Sequence, residues 1–216
     1  MDFKNIPKKY RPIPFWSWNE KLDPEETKEQ IRIMDSVGIG GFFMHARGGL
    51  QTEYMKDEWF SNVDTAVSEA KKLGMRPWAY DENGWPSGFG NGAVNGLGVK
   101  YQQKYLRMSE SEPTENVIAK CGEHWFYYEI NPFYVDTLDK EVIAEFIRST
   151  YQPYYEKYGN EIEGFFTDEP QVSRNGIPWS FTFDSEYKSR YGEDITDVLE
   201  SLFLPVGDYK GIRVRF

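Results

Sequence analysis

Four short apolar runs in this chain stop at side chains that can donate, accept or carry protons. The first ends in Trp16, Trp18, Asn19 and Glu20, and the second in His45 and Arg47. The third ends in Asp81, Glu82 and Asn83, with Trp85 just beyond. The fourth, Gly164-Phe165-Phe166-Thr167, meets Asp168, Glu169 and Pro170. Strands buried in parallel sheets read as short apolar runs, and a proline ends a ladder because it has no N–H to give. In open α/β sheets and α/β barrels, ligands bind at the C-terminal strand ends. The chemistry this set suits is glycoside hydrolysis. That reaction needs one carboxylic acid to protonate the leaving oxygen and a second carboxylate as base or nucleophile. Glu169 is the candidate general acid. The like charge of Asp168 beside it, and partial burial, would favour the protonated form. Asp81 and Glu82 would bind substrate hydroxyls or supply the partner carboxylate. Trp18 and Trp85 offer stacking faces for a sugar ring, and His45, Arg47 and Asn83 would hold its hydroxyls.

Each candidate also has a purely structural reading. Asp168 can cap the following turn while Glu169 faces solvent, and Asp81 can open an Asx-type turn before Gly84. His45 can be a satisfied strand-end residue, Trp85 can pack on its own loop, and Trp16 and Trp18 can fill a core. Metal ligation has little support. His45 and His124 are far apart and Cys121 is alone, so zinc spacing is absent and no intrachain disulfide can form. The glycine-rich loop 84–92 lacks the Gly-Lys-Ser/Thr ending of a phosphate loop, and neighbouring acids would repel phosphate.

The elements that must position these groups follow from periodicity. Strands are expected at 13–19, 41–47, 75–80 and 162–167. Helices are expected from Asp23 to about 37, at 57–73 and at 139–158, with shorter ones at 184–191 and 195–202. Asp23 before Pro24 is a helix start, and Thr27, Ile31, Met34 and Val37 recur at the helical period. Residues 100–134 interrupt the rhythm as a β excursion, and 211–216 show no role. Alternating strands and helices argue for parallel βαβ units. The expected fold class is α/β: one domain over 1–216, a partial (β/α)8 TIM-type barrel of about four βα units. The small β insertion falls between the third and fourth units. Four units cannot close a barrel, so exposed edge strands would favour a homodimer. The net charge of −10 argues against nucleic acid or an anionic membrane as partner. No run is long enough to span a membrane, and residues 1–7 lack the apolar core of a signal peptide, so the expected location is the cytoplasm.

Read in order, the motifs resemble a known family. Pro14-Phe15-Trp16-Ser17-Trp18-Asn19, Gly41-Phe42-Phe43-Met44-His45-Ala46-Arg47, Tyr80-Asp81-Glu82-Asn83-Gly84-Trp85-Pro86-Ser87-Gly88 and Phe165-Phe166-Thr167-Asp168-Glu169-Pro170 follow one another. The series is similar to the N-terminal barrel of bacterial glycoside hydrolases like the family 106 α-L-rhamnosidases. The resemblance implies a (β/α)8 catalytic barrel, a carbohydrate substrate, paired acidic residues, and calcium at some rhamnosidase sites. No other cofactor is expected. It also implies that a carboxylate from a later strand is missing here, unless Glu82 or a second chain supplies one. Two alternatives stand beside it: a carbohydrate-binding remnant without catalysis, and a metal-dependent sugar lyase or isomerase.

Overall fold

Strands and helices alternate through the first half of the chain in the computed structural model, which describes residues 6–216. The first five residues, part of the segment read above for a leader, lie outside the described residues. In order come β1 (Phe15–Trp18), α1 (Pro24–Ser36), β2 (Gly41–Ala46), α2 (Asp57–Leu73) and β3 (Arg76–Asn83). β4 (Gln102–Ser109), β5 (Val117–Cys121) and β6 (His124–Val135) follow. Then come α3 (Lys140–Phe146), a π-helical stretch over Ile147–Tyr151, α4 (Gln152–Tyr158) and β7 (Phe165–Phe166). The chain closes with β8 (Ile177–Trp179), α5 (Phe183–Tyr191), α6 (Glu200–Phe203) and α7 (Tyr209–Arg215). Among the described residues, no helix is long and apolar enough to cross a membrane.

Backbone contacts divide the chain into two compact units. One comprises Met1–Ala93 and Phe146–Pro170; the other comprises Val94–Glu145 and Gln171–Phe216. The first unit holds a parallel sheet in the order β1-β2-β3-β7. The four strands expected from sequence are these four. β1 and β7 are its edges, so the sheet is open.

Local chemistry explains the helices of this unit. The Asp23 side chain accepts the Glu25 and Glu26 N–H groups and so caps α1. α2 buries Trp59, Val63, Ala66, Val67 and Ala70 along one stripe and stops at Gly74, whose φ of 64° suits glycine. The π-helical turn lies just ahead of Pro153, which has no N–H to continue an α-helical ladder. Trp18, Phe42, Met44 and Ala79 of the sheet share one core with Ile31, Trp59, Val63 and Tyr154 of the helices. Rings of Phe15, Phe43, His45, Tyr80 and Phe166 lie against one another on alternate strand positions.

Two strand ends differ from expectation. A register shift between Met44 and Ala46 pairs Ala46 with Asn83, so β3 runs on through Asp81 and Glu82 instead of stopping before them. β7 is only two residues long, because its pairing with β3 is confined to Ala79↔Phe165 and Tyr80↔Phe166.

The second unit holds an antiparallel sheet in the order β5-β6-β4-β8. The expected β excursion supplies β4, β5 and β6. The fourth strand, β8, is not among the strands expected from sequence; it holds Pro178 and is an edge strand, where proline is tolerated. The segment 211–216, read as having no role, lies largely in α7. Its Ile212 is buried with Leu106, Phe126, Trp179, Leu199 and Leu202.

Candidate active site

Two neighbouring carboxylates at the end of β3 are buried, each only 1% exposed. Burying a charge is tolerated only where donors replace the lost water. Asp81 receives hydroxyls. Ser87 Oγ donates to Oδ1 at 2.5 Å, Thr167 Oγ1 donates to Oδ2 at 2.8 Å, and the Tyr151 hydroxyl also donates to Oδ2. Burial and the contact with Asp81 push the Tyr151 phenol well above its ordinary range, so it remains a donor.

Glu82 receives backbone N–H groups instead. Oε1 accepts from Asn83 at 2.7 Å and Asn91 at 3.4 Å. Oε2 accepts from Gly88 at 3.0 Å, Phe89 at 2.7 Å and Gly90 at 2.8 Å. Five donors fill a carboxylate, which has about four lone-pair sites. Glu82 therefore gathers the loop 84–92 around itself. Glycine is required at Gly88, whose φ is 133°. It is also required at Gly90, where φ is 53° and a Cβ would lie 3.0 Å from the Phe146 ring. Asn83 braces the same loop through Nδ2 to Asn91 Oδ1 at 2.8 Å.

The end of β7 is fastened to that loop. Ser87 N–H donates to the Asp168 carbonyl at 2.9 Å, and Asp168 N–H donates to Ser87 Oγ at 2.8 Å. The Tyr80 hydroxyl donates to Asp168 Oδ2 at 2.8 Å. Burial, reinforced by Asp168, pushes the Tyr80 phenol far up, so it too stays protonated. His45 stacks on Tyr80 with ring centres 3.5 Å apart, and its Nε2 lies 3.3 Å from the Gly84 carbonyl. A carbonyl only accepts, so Nε2 carries the proton. Burial lowers the His45 pKa below 6.5 and keeps the ring neutral.

Glu169 is different in kind. It is exposed, and no hydrogen bond or ion pair engages its carboxylate among the described residues. Its φ of 47° is left-handed, a conformation that costs a residue with a Cβ roughly 1 kcal/mol.

The structure thus brings His45, Asp81, Glu82, Asn83 and Asp168 into one bonded cluster, with Glu169 next in the chain. Arg47 follows His45 and is half-buried; its N–H donates to the Trp18 carbonyl at 3.0 Å, and its guanidinium has no ion-pair partner among the described residues. Trp85 is 51% exposed on the loop that Glu82 organises. Trp18, expected to contact substrate, is 2% exposed and packs edge-on against Trp59 at 5.0 Å and Trp16 at 5.3 Å. Its strand alternation turns it into the helix-side core. Tyr80, Ser87, Tyr151 and Thr167 complete the cluster and were not singled out from sequence. Tyr80 and Thr167 each directly precede a strand-end acid, and that adjacency is the signal that could have found them.

Among the described residues, no group of three or more His, Cys, Asp and Glu side chains is placed to hold a metal ion. Asp81 and Glu82 do not fit the calcium implied by the resemblance. Both oxygens of Asp81 and of Glu82 already face hydrogen-bond donors, whose positive ends would repel a cation.

No protein-family model matches the chain, and comparison with curated proteins finds no match. Among solved structures, the chain is similar to a rhamnosidase from Novosphingobium sp. PP1Y, at 23% identity and a TM-score of 0.41. The similarity covers 56% of this chain and spans 12% of the rhamnosidase. A likeness of that size assigns neither an activity nor a residue.

Proposed function

We propose that the strand ends of the first unit form a carbohydrate site of glycoside hydrolase type, with Glu169 as its general acid. In this reading the four parallel strands belong to a (β/α)8-type barrel, and rhamnosides are the first substrates to try. The carrying observation is the contrast among four acids at one sheet end. Asp81 and Glu82 are saturated by internal donors, Asp168 is tied through one oxygen to Tyr80, and Glu169 stands exposed without a partner. A general acid must reach the leaving oxygen while its backbone stays fixed. The two Ser87–Asp168 hydrogen bonds fix the residue just before Glu169.

The remaining roles follow from placement. Asp168 supplies negative charge beside the acid and is the candidate second carboxylate. Arg47 donates to sugar hydroxyls. Trp85 offers its face to the C–H side of a ring. His45 and Asn83 act one step back: His45 holds the Gly84 carbonyl and Asn83 holds Asn91, so both set the position of Trp85.

Glu82 is filled by backbone donors and is not free to act as the second carboxylate. That observation favours, as a second reading, binding without turnover. One experiment separates the two. Aryl glycosides, beginning with an aryl α-L-rhamnoside, are offered to the protein and to Glu169→Gln, while Trp85 fluorescence follows saccharide binding. The hydrolase reading predicts turnover that Glu169→Gln lowers by at least about a hundredfold, with binding retained. Turnover that survives the substitution removes Glu169 from the role. Binding by both proteins with turnover by neither supports the second reading.

A further inference from the structure

We infer that the second unit carries a binding site for a small organic carboxylate with one flat apolar face. A cavity of about 370 Å³ lies among residues of α5, α7 and the start of α3. That volume is within the range of small-ligand sites, roughly 300–1,000 Å³, which are mostly apolar with a few polar groups. The cavity has that composition.

Its apolar wall is a stack. Phe183 lies on Phe216 with centres 4.4 Å apart and planes at 29°, and buried Trp179, outside the lining, backs Phe183 at 5.6 Å and 24°. Stacked rings with few free torsions give a fixed flat surface. Tyr191, also lining the cavity, is 40% exposed.

The polar groups are mainly cationic, in a chain whose net charge is −10. Three cations line the cavity, against Glu186 as the one acid. Arg215 is already committed. It lies 3.1 Å from Glu193 and 3.8 Å from Asp208, and its Nε donates to the Tyr187 hydroxyl at 3.3 Å. Arg190 is only loosely matched, with Glu186 at 3.9 Å, beyond hydrogen-bond reach. Lys140 has no ion pair among the described residues. Two cations therefore line the same cavity as the aromatic slab with no counter-charge in hydrogen-bond reach. A carboxylate supplies that charge, and a ring attached to it covers the slab. A neutral sugar would leave both cations unmatched. The site is in the other unit from Glu169 and does not depend on the reading given to that residue.

Two ligand sources share this chemistry, sugar acids and aromatic acids, and an NMR titration of the full chain distinguishes them. The probes are D-glucuronate, benzoate, D-glucose and inorganic phosphate. Glucuronate or benzoate should produce saturable shifts at Tyr191, Phe183 and Phe216; the stronger of the two identifies the source. Glucose should produce none. Lys140→Ala combined with Arg190→Ala should weaken binding about tenfold or more, since each lost charge-assisted contact counts for that order. Both residues are exposed, so the double variant keeps its core. Absence of a saturable shift up to roughly 50 mM of either acid overturns the inference. So does equal binding of glucose, tighter binding of phosphate than of both acids, or unchanged affinity in the double variant.

Discussion

Buried Asp81 accepts from Ser87, which is buried, and from Thr167 and Tyr151, which reach solvent, and truncating it would remove the acceptor of all three hydroxyls. An orphaned buried donor costs about 1–3 kcal/mol, and Ser87 is the buried donor of the three, so Asp81→Ala should lower unfolding free energy by about 1–3 kcal/mol in a urea titration. Asp81→Asn, which keeps one acceptor, should lose less. His45 gives a pH signature. Its folded pKa lies below 6.5, because burial opposes the charged ring. The unfolded imidazole binds a proton below about pH 6.5 that the folded one refuses, so this contribution to stability is whole above that value and declines as pH falls. Melting temperatures from about pH 7.5 to 5 should fall more steeply for the native protein than for His45→Phe, which keeps the ring stack but cannot titrate. Parallel curves would place the pH response elsewhere. The acids of the site were legible in the sequence because charged residues at the end of an apolar run stand out. Ser87, Thr167, Tyr80 and Tyr151 were not. Neutral hydroxyls occur everywhere in soluble chains, and only the fold shows that four of them meet two aspartates.

Among the elements, the loop 84–92 owes its shape to Glu82. Replacing that carboxylate by an amide turns one acceptor into a donor facing backbone N–H groups. Glu82→Gln should cost roughly 2 kcal/mol and accelerate amide exchange at Gly88, Phe89 and Gly90 relative to β2. Unchanged exchange there would mean the loop is held by Ser87 and Asn83 alone. Much of the framework around this loop could be read in advance. α2 has the bounds its apolar stripe and Gly74 indicate, and Asp23-Pro24 opens α1 as its chemistry dictates. The misreadings have physical causes. Strand β3 outlasts its apolar run because a register shift keeps Asn83 on the ladder with Ala46. Burial there is supplied by hydrogen bonds to acids, which a hydrophobic pattern cannot register. Helix α7 contains Gly211 and only one buried apolar residue, Ile212, so it lacks a stripe to detect.

For the whole molecule, the open edges of the parallel sheet carry the prediction. β1 pairs only with β2, and β7 only with β3. An edge leaves a row of backbone groups able to pair with another chain. If a second copy covers them, as the barrel reading proposes, light scattering coupled to size exclusion should show dimer growing with concentration; a monomer at every concentration counts against that pairing. The interleaving of the two units has a consequence of another sort. Each is assembled from two separated stretches, Met1–Ala93 with Phe146–Pro170 and Val94–Glu145 with Gln171–Phe216. No single contiguous segment of the gene encodes either one. Recombination at one breakpoint cannot exchange the acid-bearing unit for another while sparing its neighbour. The unit with Glu169 and the unit with the cationic cavity therefore cannot be swapped one at a time by a single crossover.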